Sequence, residues 1–140
     1  MEHKMNKESF KSKLGSWYQY FEPFLDSKEL YNIYQKLQKD SNEGKIIFPY
    51  SENTFKAFEL CNKDDFKLLL LGSDPYPGRY YDNKLPHSTG LSFDNSNCSK
   101  NKLQPSLEYF WEGIAEEYGE DKKLYETKDL LFLAKQGVLL

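Results

Sequence analysis

Phe66-Lys67-Leu68-Leu69-Leu70-Leu71-Gly72 is the stretch on which the fold turns. A continuous apolar run closed by a glycine predicts a strand buried on both faces, as in a parallel sheet covered by helices. Helical periodicity lies on either side of it. Asp26-Ser27 precedes Leu30, Ile33, Tyr34 and Leu37, which predicts a capped helix running to about Lys39 and stopping near Asn42-Glu43-Gly44. Lys45 to Tyr50 reads as extended, and Thr54 to Leu60 as a short helix with Phe55 and Phe58 on one face. Downstream, Pro105-Ser106 opens a helix that turns Leu107, Phe110, Trp111, Ile114 and Ala115 inward. A further helix, Asp129 to Lys135, stops at Gly137. Alternating strand and helix predict an α/β fold of three layers, a central mainly parallel sheet flanked by helices. Gly137-Val138-Leu139-Leu140 reads as the start of a second core strand, so the expected domain is a partial one. Residues 1–15 are expected to be a loose or partly helical start and residues 16–140 the domain.

Composition narrows the classes of function. With 140 residues the chain is one domain, and 16% aromatic residues are too many for a disordered segment. No run of about 18 apolar residues exists to cross a bilayer. Met1 to Lys13 has no apolar core of the secretory type, so a cytoplasmic protein is expected. Cys61 and Cys98 stand far apart without metal-ligand spacing and read as reduced thiols. Net charge is −3 and Arg79 is the only arginine, which argues against a histone-like basic surface. Nucleic-acid chemistry stays open, because backbone N–H groups and hydroxyls also contact phosphate.

The loop after the apolar run, Gly72-Ser73-Asp74-Pro75-Tyr76-Pro77-Gly78, sits where open α/β sheets bind ligands, outside the carboxyl end of a strand. Asp74 would be an acid at the mouth of a pocket. On that segment alone a tight turn is an equal reading, since Asp-Pro and Pro-Gly are common turn pairs.

The wider arrangement resembles the uracil-DNA glycosylase family. Three segments carry the resemblance in order: Gly72 to Gly78, then Gly90-Leu91-Ser92-Phe93, then Pro105-Ser106-Leu107. Leu130 to Leu140 is similar to the family's helix-to-strand junction, and Ile46-Ile47-Phe48-Pro49 with Phe55-Lys56-Ala57-Phe58 to the approach to its first catalytic strand. Asp74 together with Tyr76 points to the uracil-specific branch, because other branches usually carry a non-acidic residue at the Asp74 position.

The resemblance implies a base-excision repair hydrolase that cleaves the N-glycosidic bond of uracil in DNA, without metal or cofactor and as a monomer. It assigns catalysis to Asp74, whose carboxylate would stabilise the sugar cation and orient water. Phe93 would stack on the extruded uracil, and Tyr76 would fill the space beside its C5 position and so exclude thymine. Ser73, where the family usually has Gln, counts with Tyr76 and Phe93 among the substrate-binding residues. Pro105 and Ser106 would press on the DNA backbone. Each has a plainer reading: Phe93 as core, Tyr76 as a turn residue, Ser106 as a helix N-cap.

Other candidates carry less. His87 reads as a surface loop residue, and Glu116, Glu117, Glu120 and Asp121 as a solvated acidic face. Pro77 stands where the family usually has His, Thr89 replaces a familiar His, and Arg79 to Ser88 is longer than expected. The family's uracil-reading Asn, its base-stabilising His and its wedging Leu would all lie past Leu140, so the resemblance covers the family's N-terminal two-thirds and implies weak or no activity for the chain alone. The alternative is a catalytically inactive glycosylase-like module that binds DNA or protein. An unrelated hydrolase built on Asp74 is disfavoured, since no metal ligands or nucleophile–base pair accompany it.

Overall fold

The computed structural model describes residues 7–99, 102–119, 121 and 127–140. Among the described residues six α-helices and two strands follow one another in the order α1 (Lys7–Leu14), α2 (Tyr18–Leu25), α3 (Lys28–Asn42), α4 (Lys56–Leu60), β1 (Leu68–Leu69), α5 (Pro105–Tyr118), α6 (Leu131–Ala134) and β2 (Val138–Leu139). The class is α/β. β1 and β2 pair in parallel, Leu68 opposite Val138 and Leu69 opposite Leu139. The pairing continues past both ends, with Lys67 N–H donating to Gly137 O at 2.8 Å and Leu70 N–H to Leu139 O at 2.9 Å. Gly137 permits this approach. Its φ is +95°, and a Cβ there would lie 2.0 Å from the Asp65 carbonyl oxygen.

The expectation of a strand buried on both faces is corrected here. The strand is two residues long, and Leu68, Leu69 and Leu71 are 57%, 52% and 79% exposed. Among the described residues, β2 is the only strand paired with β1. An all-leucine run signals a segment suited to double-sided cover, but cover is supplied by other elements and cannot be read from the run.

Helix boundaries follow local chemistry. Ser27 caps α3, its Oγ accepting from Leu30 N–H at 3.1 Å. The apolar stripe of α3 stays uncovered, with Ile33 and Leu37 exposed. α4 starts at Lys56, two residues later than expected, after a 3₁₀ turn at Ser51–Asn53. α6 is also shorter than expected: Leu130 takes the N-cap position and the Asp129 carboxylate accepts from Leu131 N–H at 2.9 Å. Gln104, not Ser106, occupies the N-cap position of α5, leaving Pro105 to open the helix.

Two apolar groups hold these elements. Leu91, Leu107, Trp111, Leu130, Ala134 and Leu140 form the core between α5, α6 and β2. Of the five α5 positions expected inward, Leu107, Trp111 and Ala115 are buried, while Phe110 and Ile114 pack partly buried against this core. The second group is aromatic. Trp17 meets Phe66 and Phe58 edge-on at 5.3 and 5.8 Å, Phe21 meets Phe58 at 5.0 Å, and Trp17 Nε1 donates to Cys61 O at 2.7 Å. Cys61 and Cys98 are buried free thiols, and burial pushes the Cys61 thiol up from its ordinary value.

Candidate active site

The loop leaving β1 and the segment Ser88–Phe93 face each other across a cleft of about 470 Å³. Ser73, Asp74, Tyr76, Phe93 and Ser106 all line it, with Gly72, Ser88, Gly90 and Leu91. Five of the six site residues singled out from sequence therefore meet at one surface. Pro105 is exposed at the first position of α5, next to Ser106, and does not line the cleft.

The acidic wall is lightly held. Asp74 is exposed, and its Oδ2 accepts from Ser73 Oγ at 3.0 Å. Gly72 N–H donates to Ser92 Oγ at 3.3 Å, tying the end of the strand to the opposite wall. Tyr76 is half-buried, and its hydroxyl lies 2.5 Å from Ser106 Oγ. Burial pushes the Tyr76 phenol up, the Ser106 bond pulls it partly back and the Asp94 charge adds a further rise. The Tyr76–Ser106 bond locks the site loop to the start of α5.

The opposite wall is buried. Phe93 stacks on Phe110 with ring centroids 5.8 Å apart and planes inclined by 22°. Its φ of +62° is a left-handed conformation that costs a non-glycine residue about 1–3 kcal/mol. The two residues after it supply the hold. Asp94 is buried, its Oδ1 accepting from Leu130 N–H at 2.8 Å and its Oδ2 from Ser96 Oγ at 2.6 Å. Asn95 is buried and donates through Nδ2 to Lys102 O at 2.9 Å, while its N–H donates to Lys128 O at 2.8 Å and Tyr80 OH donates to its Oδ1. Sequence reasoning missed Asp94 and Asn95, since a polar pair after an apolar run looks like a loop. It also missed Pro49, Thr54 and Leu140, which line the cleft from distant segments. Gly90 is irreplaceable: at φ +90° its Cβ would meet Asn53 O at 2.3 Å.

The cleft falls within the roughly 300–1,000 Å³ of small-molecule sites. It offers a carboxylate on one side, a backed aromatic face on the other and a helix start bearing a hydroxyl. The chain is similar in sequence to uracil-DNA glycosylases. The glycosylase of Aliarcobacter butzleri is 34% identical over 119 residues, covering 83% of this chain and 51% of the relative. That of Psychromonas ingrahamii is 35% identical over 116 residues, covering 82% and 50%. The chain thus spans about half the length of the curated relatives it matches. The mimivirus uracil-DNA glycosylase superposes with a TM-score of 0.77 at 22% identity, over 98% of this chain and 48% of the viral one, which shows a shared fold. No family model matches the chain.

The remaining candidates fall outside the cleft. His87 packs its ring 4.3 Å from that of Tyr80. Glu116 and Glu117 are exposed at the end of α5, and Asp121 is exposed, while Glu120 lies outside the described residues. Among the described residues, no group of three His, Cys, Asp or Glu side chains is placed to hold a metal ion, and no helix is long and apolar enough to cross a membrane.

Proposed function

We propose that the chain carries the acid-bearing part of a DNA repair glycosylase that hydrolyses the N-glycosidic bond of uracil, acting in the cytoplasm as a monomer without metal or cofactor. Residues 16–140 form this partial domain, and the whole protein builds the three-layer sheet that the leucine run of β1 is suited to. The observation that carries the proposal is the convergence of Asp74, Tyr76, Phe93 and Ser106, drawn from three separate segments, on one cleft.

The chemistry follows from that placement. As the bond between sugar and base breaks, its electron pair leaves with the uracil and positive charge builds on the deoxyribose. The Asp74 carboxylate stabilises this charge and orients the water that adds to the sugar carbon, and the proton that water sheds ends on the departed uracil anion. Phe93, braced by Phe110, gives the extruded base a stacking face. Tyr76, fixed by Ser106, closes the space a thymine methyl would need. Ser73 positions the carboxylate through its hydroxyl. Pro105 and Ser106, at the start of α5, face the DNA backbone.

Magnitudes say how strongly the chain works. A carboxylate and a cation 4 Å apart attract by about 4 kcal/mol at an effective dielectric of 20, but by only about 1 kcal/mol in water. Asp74 is exposed here, so its contribution is at the lower figure and turnover by the chain alone is weak.

The test therefore reads binding to a mimic of the charged sugar. A uracil-free oligonucleotide carrying a cationic pyrrolidine abasic unit is compared with one carrying neutral tetrahydrofuran. The chain is expected to prefer the cationic form by about five-fold, matching about 1 kcal/mol. Asp74→Asn is expected to abolish the preference. No preference in the unaltered chain, or one that survives Asp74→Asn, overturns the assignment.

A further inference from the structure

The segment between the two walls of the cleft, longer than the family resemblance leads one to expect, is an ordered hairpin. His87 N–H donates to Gly78 O at 3.0 Å, Tyr80 N–H to Leu85 O at 2.8 Å, and Arg79 bridges Pro86 in antiparallel fashion. One side of the hairpin is fastened to the residues just after Phe93. Asn97 Nδ2 donates to Pro86 O and Asn83 Nδ2 to Asn97 O, both at 2.9 Å. The Ser99 hydroxyl donates to the Asp82 carboxylate, and Tyr80 reaches Asn95. Tyr80 is fastened inward by its bond to Asn95, and Tyr81 opens the turn that follows. Tyr81 is 91% exposed, the most exposed of the chain's described large apolar side chains, and the Lys84 ammonium sits 4.3 Å from its ring centroid. A rigid support thus presents an aromatic ring that adds nothing to the core, with a cation beside it.

We propose that this hairpin is a second nucleic-acid contact, in which Tyr81 stacks on an unpaired DNA base while Lys84 meets the adjoining phosphate. The inference rests on the reading of the cleft as a DNA site. Lys84 covers one face of the ring by a cation–π contact and leaves the other to a base, the combination that single-strand binding surfaces use. Reach bounds the location. Tyr81 lies five residues beyond Tyr76, which lines the cleft, so the two are at most about 18 Å apart at ~3.6 Å per residue. Stacked nucleotides rise ~3.4 Å each, so the contacted base is within about five nucleotides of the one in the cleft.

The experiment measures fluorescence anisotropy of labelled single-stranded oligonucleotides with one pyrrolidine unit and either five or one nucleotides on each side of it. On the longer strand Tyr81→Ala is expected to weaken binding about ten-fold and Tyr81→Phe to leave it within two-fold. Lys84→Gln is expected to lower the slope of log affinity against log salt by about 0.7. On the shorter strand all three variants are expected to match the unaltered chain. Equal binding of Tyr81→Ala and the unaltered chain to the longer strand overturns the hairpin contact. If the Asp74-dependent preference for pyrrolidine persists in that case, the cleft reading stands and only the hairpin falls. A chain that binds neither strand overturns both.

Discussion

The two walls of the cleft are built on opposite terms. The Gly72–Gly78 wall is mostly exposed and joins the rest through Gly72–Ser92, Tyr76–Ser106 and the His87 N–H on Gly78 O. The Ser88–Asn95 wall is mostly buried, and its polar side chains are spent on the backbone of α6 and of the segments beside it. The two constructions divide the labour. An acid meant to act on a substrate stays within reach of solvent, whereas a ring meant to receive a flat base needs a backbone that does not yield.

That division is broken most severely at Gly90. Gly90→Ala is expected to cost about 3 kcal/mol or more in urea unfolding, since its Cβ would collide with Asn53 O in a backbone shape alanine avoids. Asp94→Ala should follow at about 3 kcal/mol, because it strands the buried Leu130 N–H and removes the anchor of Phe93. If Asp94→Ala instead melts like the unaltered chain, the rigid wall is not rigid for the reason given. On the other wall, Tyr76→Phe is expected to cost only about 1 kcal/mol, the usual worth of one hydrogen bond. Asp74→Asn should leave unfolding unchanged within about 0.5 kcal/mol, as an exposed site allows.

The last effect is one of pH and is confined to strongly alkaline solution. Burial is the main cause that pushes the Tyr80 phenol up to about 12 from its ordinary value of 10.0. The unfolded chain then gives up this proton first, so the contribution is intact below pH 10 and fades as pH rises towards about 12. Tyr80→Phe is expected to flatten the fall of stability across that window, read as the difference between the two urea midpoints. An unchanged fall would mean that the Tyr80 phenol is not withdrawn from water in the folded chain.

Legibility differed between fold and site for a physical reason. The cap at Ser27, the proline start of α5 and the glycine stop at Gly137 were readable because each depends on residues a few positions apart. The β1 run misled, because four leucines state a preference for cover without naming a neighbour. Ser73, Asp74, Tyr76, Phe93 and Ser106 were legible as an ordered set resembling a known family, and their meeting on one cleft is a matter of folding. Asp94 and Asn95 had no sequence signal. Their roles consist of bonds to Leu130, Lys102 and Lys128, which local pattern does not encode.

From sequence alone came the order of α3, α4, β1, α5, α6 and β2, but not α2, together with the acid that follows the leucine run and the family likeness of the three site segments. Contacts between distant segments set the rest: Phe93 is left-handed beside a buried carboxylate, Ser106 is bound to Tyr76, and Tyr81 stands out from a fastened hairpin. Local propensity acts over one turn or one pleat, whereas these features arise from contacts between segments that only the folded chain brings together.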